Sequence, residues 1–171
     1  MGLMSFMKEA GQKLFGHKDA EAAQKQAEAA PNDEAAAAKA EELNKAAAAA
    51  IIDYIHAQDL DANALDVMFI AAESTVNVYG VAPDQETKEK ILLCCGNVAG
   101  VAHVNDKMEV EDPQPEAQYH EVVSGDNLSK IARKFYGDAN KYPVIFEANK
   151  PMLTHPDKIY PGQVLRIPPL E

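Results

Sequence analysis

The chain has 171 residues, a net charge of −11 and a sequence pI of about 4.9. This acidic surplus argues against unspecific nucleic-acid binding and against docking on anionic membranes, because both require a basic face. Hydrophobic residues make up 47% of the sequence, but alanines concentrated in residues 20–50 inflate that fraction, and aromatic residues are only 6%. The core is therefore not expected to extend over the whole chain.

The only two cysteines, Cys94 and Cys95, are adjacent in the sequence. Adjacent cysteines cannot form a disulfide of ordinary geometry, and neither has a partner at metal-ligand spacing. They are interpreted as small apolar side chains on a helix, and free thiols fit a reducing compartment. Because residues 1–8 also lack the features of a secretory signal, we expect a cytoplasmic, monomeric protein with no membrane partner.

Residues 1–16 have apolar side chains at helical spacing, which predicts a short amphipathic helix that docks on the next unit. These side chains are Leu3, Phe6, Met7, Ala10 and Leu14. Residues 17–50 are rich in Ala, Glu, Gln and Lys, which favour a helix but supply few large apolar groups. We interpret this stretch as a solvated spacer interrupted at Pro31, followed by a helix from about Asp33 to Ala57.

Residues 65–110 combine strand-like alternation with one helical stretch. The predicted elements are strands over residues 65–70, 75–80 and 101–110 and a helix that Pro83 and Asp84 open and Gly96 ends. With the helix that precedes them, the order is helix, strand, strand, helix, strand. This order predicts helices on a three-stranded sheet over residues 51–111.

Residues 112–118 are polar and contain two prolines, which is typical of a linker between domains. Residues 119–169 then read as a compact module. Its predicted elements are a strand over residues 120–123, helices over 128–136 and up to 149, and a strand over 164–167. The predicted fold class is therefore α+β, with two small domains joined by a short linker.

The carboxy-terminal module resembles a LysM domain, which has a βααβ fold. The residues that carry the resemblance are Tyr119, Val122, Ser124 to Leu128, Ile131, Ala132, Ala148, Asn149, Ile159 to Leu165, Ile167 and Pro168. They cover the module in order, so the match is specific. One departure is Asn127, where the family usually has Thr.

The central unit resembles a BON domain, although each residue contributes a weaker signal. The residues concerned are Val76 to Gly80, Glu89 to Ile91, Gly96 to Val101, Val104, Asn105 and Val110. The combination of BON and LysM resembles a family of bacterial cytoplasmic potassium-binding proteins, as do Met1 to Leu3, Lys8 to Gly11 and Ile145 to Leu153. That resemblance implies a K⁺ sensor or buffer, not an enzyme, that becomes compact on binding K⁺.

The resemblance also implies that main-chain carbonyls bind the ion. K⁺ is large and weakly hydrated, and neutral carbonyl oxygens discriminate for it better than carboxylates do. Residues 96–101 follow a helix and contain two glycines, so several carbonyls could point inward there. By resemblance the ligands are the carbonyls of Met7, Ala10, Gly96, Val98 and Val101. The alternative is an ordinary helix-to-strand turn on which the first residues merely pack.

A second hypothesis is that the LysM module binds peptidoglycan or another N-acetylglucosamine polymer. The loops implied by the family contain Gly125, Asp126, Asn127 and Leu128 on one side and Lys150, Met152, Leu153 and Ile159 on the other. The alternative to glycan binding is that the LysM module is a docking or regulatory partner of the BON domain. A third hypothesis for the whole chain is a general stress-response scaffold without a ligand. An enzyme is not expected, because the chain has no phosphate-binding loop, dinucleotide fingerprint or nucleophile elbow.

Overall fold

The computed structural model describes residues 2–171, which form two units with a sheet in each. The elements of the first unit are β1 (Leu3–Ser5), α1 (His17–Ala29), α2 (Glu34–Ala57), β2 (Asn63–Ile70), β3 (Thr75–Asp84), α3 (Gln85–Gly96) and β4 (His103–Asp112). Those of the second unit are β5 (Gln118–Glu121), α4 (Leu128–Tyr136), a 3-10 turn (Ala139–Lys141), α5 (Tyr142–Ala148) and β6 (Val164–Ile167). The fold class is α+β, as the sequence predicts.

The sheet of the first unit has the strand order β1-β4-β3-β2, with β3 and β4 parallel and the other neighbours antiparallel. Parallel neighbours cannot be joined by a hairpin, and α3 supplies the crossover between them. Val76 and Val78 alternate inward along β3 and share one core with Ile51 of α2 and Ile91 of α3. The helices therefore cover one face of the sheet, and the end of α3 leads directly into β4.

Two predicted helix starts are confirmed by their caps. The Asp33 carboxylate accepts hydrogen bonds from Ala35 N and Ala36 N at 3.0 and 3.1 Å, and α2 runs to Ala57. The Asp84 carboxylate accepts one from Thr87 N at 2.7 Å at the start of α3. In each case a short acidic side chain satisfies amides that the first helical turn leaves without partners.

The predicted helix over residues 1–16 is wrong; Met1 lies outside the described residues. Leu3–Ser5 form β1, which pairs antiparallel with β4 and adds a fourth strand to the predicted three-stranded sheet. Phe6 follows as a buried side chain, and Gly11 adopts φ +101°, which interrupts any helix. So short a helix has little stability of its own, whereas the free edge of β4 offers backbone partners.

The interpretation of the start of residues 17–50 as a solvated spacer is also wrong. Residues 17–29 form α1, which packs against α2. Ala20 of α1 and Ala47 of α2 are 2% and 0% exposed. Small side chains of this kind allow two helices to approach closely. The boundary predicted at residue 50 falls inside α2.

The second unit has its own small core, built around Val122, Leu128, Ile131, Ile145 and Leu165. The departure at Asn127 keeps a capping function, because its side chain accepts a hydrogen bond from Lys130 N at 2.8 Å. The linker is not free. Ala117 N donates to the carboxylate of Glu89 in α3 at 2.9 Å, which fixes the chain just before β5.

Among residues 2–171, no helix is both long enough and apolar enough to cross a bilayer.

The thiols of Cys94 and Cys95 are free and buried in α3, and burial raises the pKa of Cys94 to about 12. Because the thiolate is the reactive form, we expect both thiols of the native protein to resist a disulfide reagent at mildly alkaline pH. They should react only after denaturation in guanidinium chloride. A Ser124→Cys variant provides an exposed thiol as the control and should react at once. Rapid labelling of the unmodified native chain would contradict the burial.

Candidate functional site

Two segments that are distant in sequence meet at the carboxy-terminal end of α3. They are residues 6–12, called here the N-terminal segment, and residues 96–101, called the glycine loop. Gln12 N donates to the carbonyl of Asn97 at 2.9 Å, and Ala99 N donates to the carbonyl of Gln12 at 2.8 Å. This exchange is a short parallel bridge, and it aligns the two backbones.

Glycines make this close approach possible. A Cβ on Gly96 would lie 2.0 Å from Cζ of Phe6, so only glycine leaves room for the aromatic ring. A Cβ on Gly11 would lie 2.3 Å from the carbonyl oxygen of Asn97. Both segments therefore depend on residues without a side chain at their points of contact.

Polar groups of α1 hold the N-terminal segment in place. The Lys8 ammonium pairs with the carboxylate of Glu21 and holds its pKa below the usual range. The carbonyl of Lys8 accepts a hydrogen bond from Gly100 N at 2.6 Å. The same glycine packs against His17 at the start of α1. The helix predicted as a spacer thus supports the contact between the two segments.

The structure brings together the two segments that carry all five predicted ligand residues. The carbonyls of Met7 and Val98 accept turn hydrogen bonds from Ala10 N and Val101 N, both at 3.1 Å. Within residues 2–171, no hydrogen bond is donated to the carbonyls of Ala10, Gly96 or Val101. The oxygens of Ala10, Gly96 and Val101 therefore keep their full capacity to bind another group. Those of Met7 and Val98 each keep one lone pair.

Peptide geometry shows where two of these carbonyls point. Asn97 N donates to the carbonyl of Leu93 inside α3 at 2.9 Å. In a trans peptide the preceding C=O points the opposite way, so the Gly96 oxygen projects beyond the helix end. Ala102 N likewise donates to the carbonyl of Ser74 at 2.8 Å, which turns the Val101 oxygen away from that turn.

Burial makes these free carbonyls costly. Gly96 and Val101 are both buried, and Val101 is 0% exposed. A buried carbonyl without a partner costs about 1–3 kcal/mol. The carboxy-terminal end of α3 also carries the negative end of the helix dipole, which favours a positive charge. A cation bound to these oxygens would give the carbonyls a partner and would also interact favourably with the helix dipole.

The rest of the described chain offers no ordinary metal site. Between residues 2 and 171, no three His, Cys, Asp or Glu side chains lie close enough together to hold a metal ion. The donors at the end of α3 are neutral carbonyls, which suit a large and weakly hydrated cation better than a small divalent one.

The second unit touches both segments. A Cβ on Gly162 would lie 2.7 Å from Sδ of Met7 and 2.9 Å from Cβ of Ala10. The side-chain amide of Asn97 donates to the carbonyl of Val164 and accepts from its N–H, both at 2.9 Å. Asn97 is a residue of this site that sequence reasoning missed. Its only signal was its position directly after the glycine that ends α3.

The residues predicted for glycan binding do not share one open surface. Leu128 and Leu153 are 3% and 2% exposed, and Met152 packs against the core of the first unit. Lys150 pairs with Glu147 at 2.8 Å. Gly125 and Asn127 are exposed, but the Asp126 carboxylate pairs with His120 at 2.8 Å and accepts a hydrogen bond from Val123 N at 3.0 Å. Ile159 packs on the core of the second unit. Glycan binding stays a prediction from the resemblance.

Comparison with known proteins finds relatives both of the carboxy-terminal module and of the whole chain. A family model of the LysM domain matches residues 120–168, which confirms that prediction. Potassium binding protein Kbp of Escherichia coli is 43% identical over 168 residues, which cover 98% of this chain and 99% of that protein. An uncharacterized protein of Deinococcus radiodurans is 51% identical over 47 residues, 28% of this chain and 18% of its own length.

Esterases of Mycobacterium tuberculosis are 45% identical over 53 residues, but this match spans 31% of the present chain and only 11% of each esterase. Such short matches say nothing about the whole molecule. The relative that matches end to end decides the assignment: the chain belongs to the family of the potassium binding protein Kbp.

Proposed function

We propose that this protein binds K⁺ through the main-chain carbonyls of Met7, Ala10, Gly96, Val98 and Val101. The observation that carries the proposal is the pair of buried carbonyls, of Gly96 and Val101, that accept no hydrogen bond within the described residues. The Gly96 oxygen projects beyond the end of α3, where the negative end of the helix dipole favours a cation. The relative that spans the whole chain is named for potassium binding, which supports the same ion.

Binding is expected to make the protein more compact. The proposed ligands come from two segments, so an ion that contacts both binds the docked state and not the separated one. Mass action then shifts the population toward the docked state. Because Gly162 packs against Met7 and Ala10, the second unit would be drawn in with the N-terminal segment. This gives the molecule the properties of a K⁺ sensor or buffer.

The proposed activity is binding without catalysis, in the cytoplasm. The free, buried thiols of Cys94 and Cys95 support a reducing compartment. The net charge of −11 adds only a background field that attracts cations in general. Preference for one alkali ion has to come from the geometry of the carbonyls.

Thermal unfolding in matched chloride salts tests the proposal. At a K⁺ concentration of about 100 times the dissociation constant, binding stabilises the folded state by about 2.7 kcal/mol. For a chain of this size that corresponds to a rise of roughly 5–11 °C in the melting temperature. NaCl and choline chloride at the same ionic strength should have a much smaller effect, since they share only the screening.

Backbone amide NMR locates the ion in the same samples. KCl should shift the signals of residues 96–101 and of the N-terminal segment, whereas Gly137, an αL cap in the second unit, serves as the unaffected control. Equal melting curves in KCl and NaCl, or shifts spread evenly over the surface, would exclude a specific K⁺ site.

A further inference from the structure

We propose that Asn97 is the positioning residue of the glycine loop, and that its side chain ties the carbonyl geometry to strand β6 of the second unit. The inference rests on the proposed function, because it concerns the same carbonyls. Asn97 itself contributes no proposed ligand atom. It acts through the two peptide units that flank it.

Asn97 is 9% exposed, and its four polar groups bond to three different parts of the fold. Its N–H donates to Leu93 in α3, and its carbonyl accepts from Gln12 in the N-terminal segment. Its side-chain amide forms a two-bond pair with the backbone of Val164 in β6. All four hydrogen bonds are 2.9 Å long. One residue thus joins three elements at the edge of the site.

These bonds restrict the backbone where it matters for the proposed site. The N–H of Asn97 shares a peptide unit with the carbonyl of Gly96. The carbonyl of Asn97 shares the next peptide unit with the N–H of Val98. Any rotation of the backbone at Asn97 that redirected either carbonyl would break at least one of the four bonds. The side chain is held at both of its polar atoms, so it cannot follow such a rotation without losing Val164.

The part of β6 that Asn97 contacts is a strand edge without a neighbouring strand. One edge of β6 pairs with β5. On the other edge, Asn149 of the same unit bonds Arg166 N and O at 2.8 and 2.9 Å. Asn97 completes that edge from the other unit by pairing with Val164. Two asparagine amides therefore replace a missing neighbouring strand, and the second of them is present only while the units are docked.

The test compares K⁺ and Na⁺ affinities of full-length variants by calorimetric titration. Asn97→Ala should weaken K⁺ binding by about ten-fold, since two hydrogen bonds that orient the loop are lost. It should also reduce the K⁺/Na⁺ affinity ratio, because a loosened loop adapts to the smaller ion. Asn97→Asp is nearly isosteric and places a second acceptor against the Val164 carbonyl, so it provides a folded variant with the same expected loss.

Glu89→Gln is the matched control. It weakens another contact between the units, the bond of Glu89 to Arg166 at 2.5 Å, but leaves the glycine loop bonded as before. A purely structural loss of docking lowers both affinities by the same factor, so Glu89→Gln should keep the K⁺/Na⁺ ratio of the parent chain. An unchanged ratio in both Asn97 variants would overturn the positioning role. Absence of any K⁺ response in the parent chain would instead refute the proposed function itself.

Discussion

A Gly96→Ala variant is expected to lose about 3–5 kcal/mol of stability, comparable to truncating a buried aromatic side chain. The added Cβ would lie 2.0 Å from Cζ and 2.1 Å from Cε1 of Phe6, which no real contact permits. The ring is only 8% exposed, so it has to move out of its buried position to make room. The N-terminal segment would then detach, and the K⁺ response proposed for the site would be lost with it. Urea denaturation and K⁺ titration of the same variant measure both effects.

Two companion variants separate this clash from a general loss at glycine. Gly2→Ala alters the same end of the chain where a Cβ has no atom within 4 Å, and its effect should stay within about 0.5 kcal/mol. In a Phe6→Ala background the ring is absent, so adding Gly96→Ala should cost little more. Full additivity of the two changes would mean that Gly96 acts through something other than Phe6.

The helices and strands between residues 33 and 112 could be predicted because their signals are local. Asp33 and Asp84 each accept a hydrogen bond from an amide only three residues later, and Val76 and Val78 alternate within one strand. The first residues could not be predicted in this way. Their apolar spacing fits a helix, but the partner that makes Leu3–Ser5 a strand is β4, about a hundred positions later in the chain.

The residues of the candidate site likewise differ in whether their contacts could be predicted from the sequence. The family resemblance predicted that the N-terminal segment and the glycine loop would meet, whereas their composition alone allowed a simple turn. Asn97 and Arg166 escaped prediction because their partners are 67 and 77 positions away. A buried polar side chain gives no sequence pattern of its own. Its function depends on which backbone or charge the fold brings against it.

Glu89→Ala is expected to destabilise the docked protein by about 3–5 kcal/mol, the cost of leaving a buried charge without its partner. Glu89 is 2% exposed and accepts hydrogen bonds from Gln85 Nε2, Ala117 N and Arg166 Nε at 2.9, 2.9 and 2.5 Å. Arg166 is 7% exposed, so water does not replace the lost carboxylate. The loss also frees the linker at Ala117. Differential scanning calorimetry should therefore show a lower melting temperature and a less cooperative transition, as the two units begin to unfold separately.

The physical origin of this loss is tested by removing both charges. An apolar pair such as Glu89→Leu with Arg166→Met should recover most of the stability, because the desolvation cost of both ions disappears with their attraction. The exposed pair of Glu41 and Lys45 is the control, and Glu41→Ala should leave the melting temperature nearly unchanged. If the double variant is as unstable as the sum of its single changes, the contact stabilises docking through its hydrogen bonds to Gln85 and Ala117 and not through the charge pair.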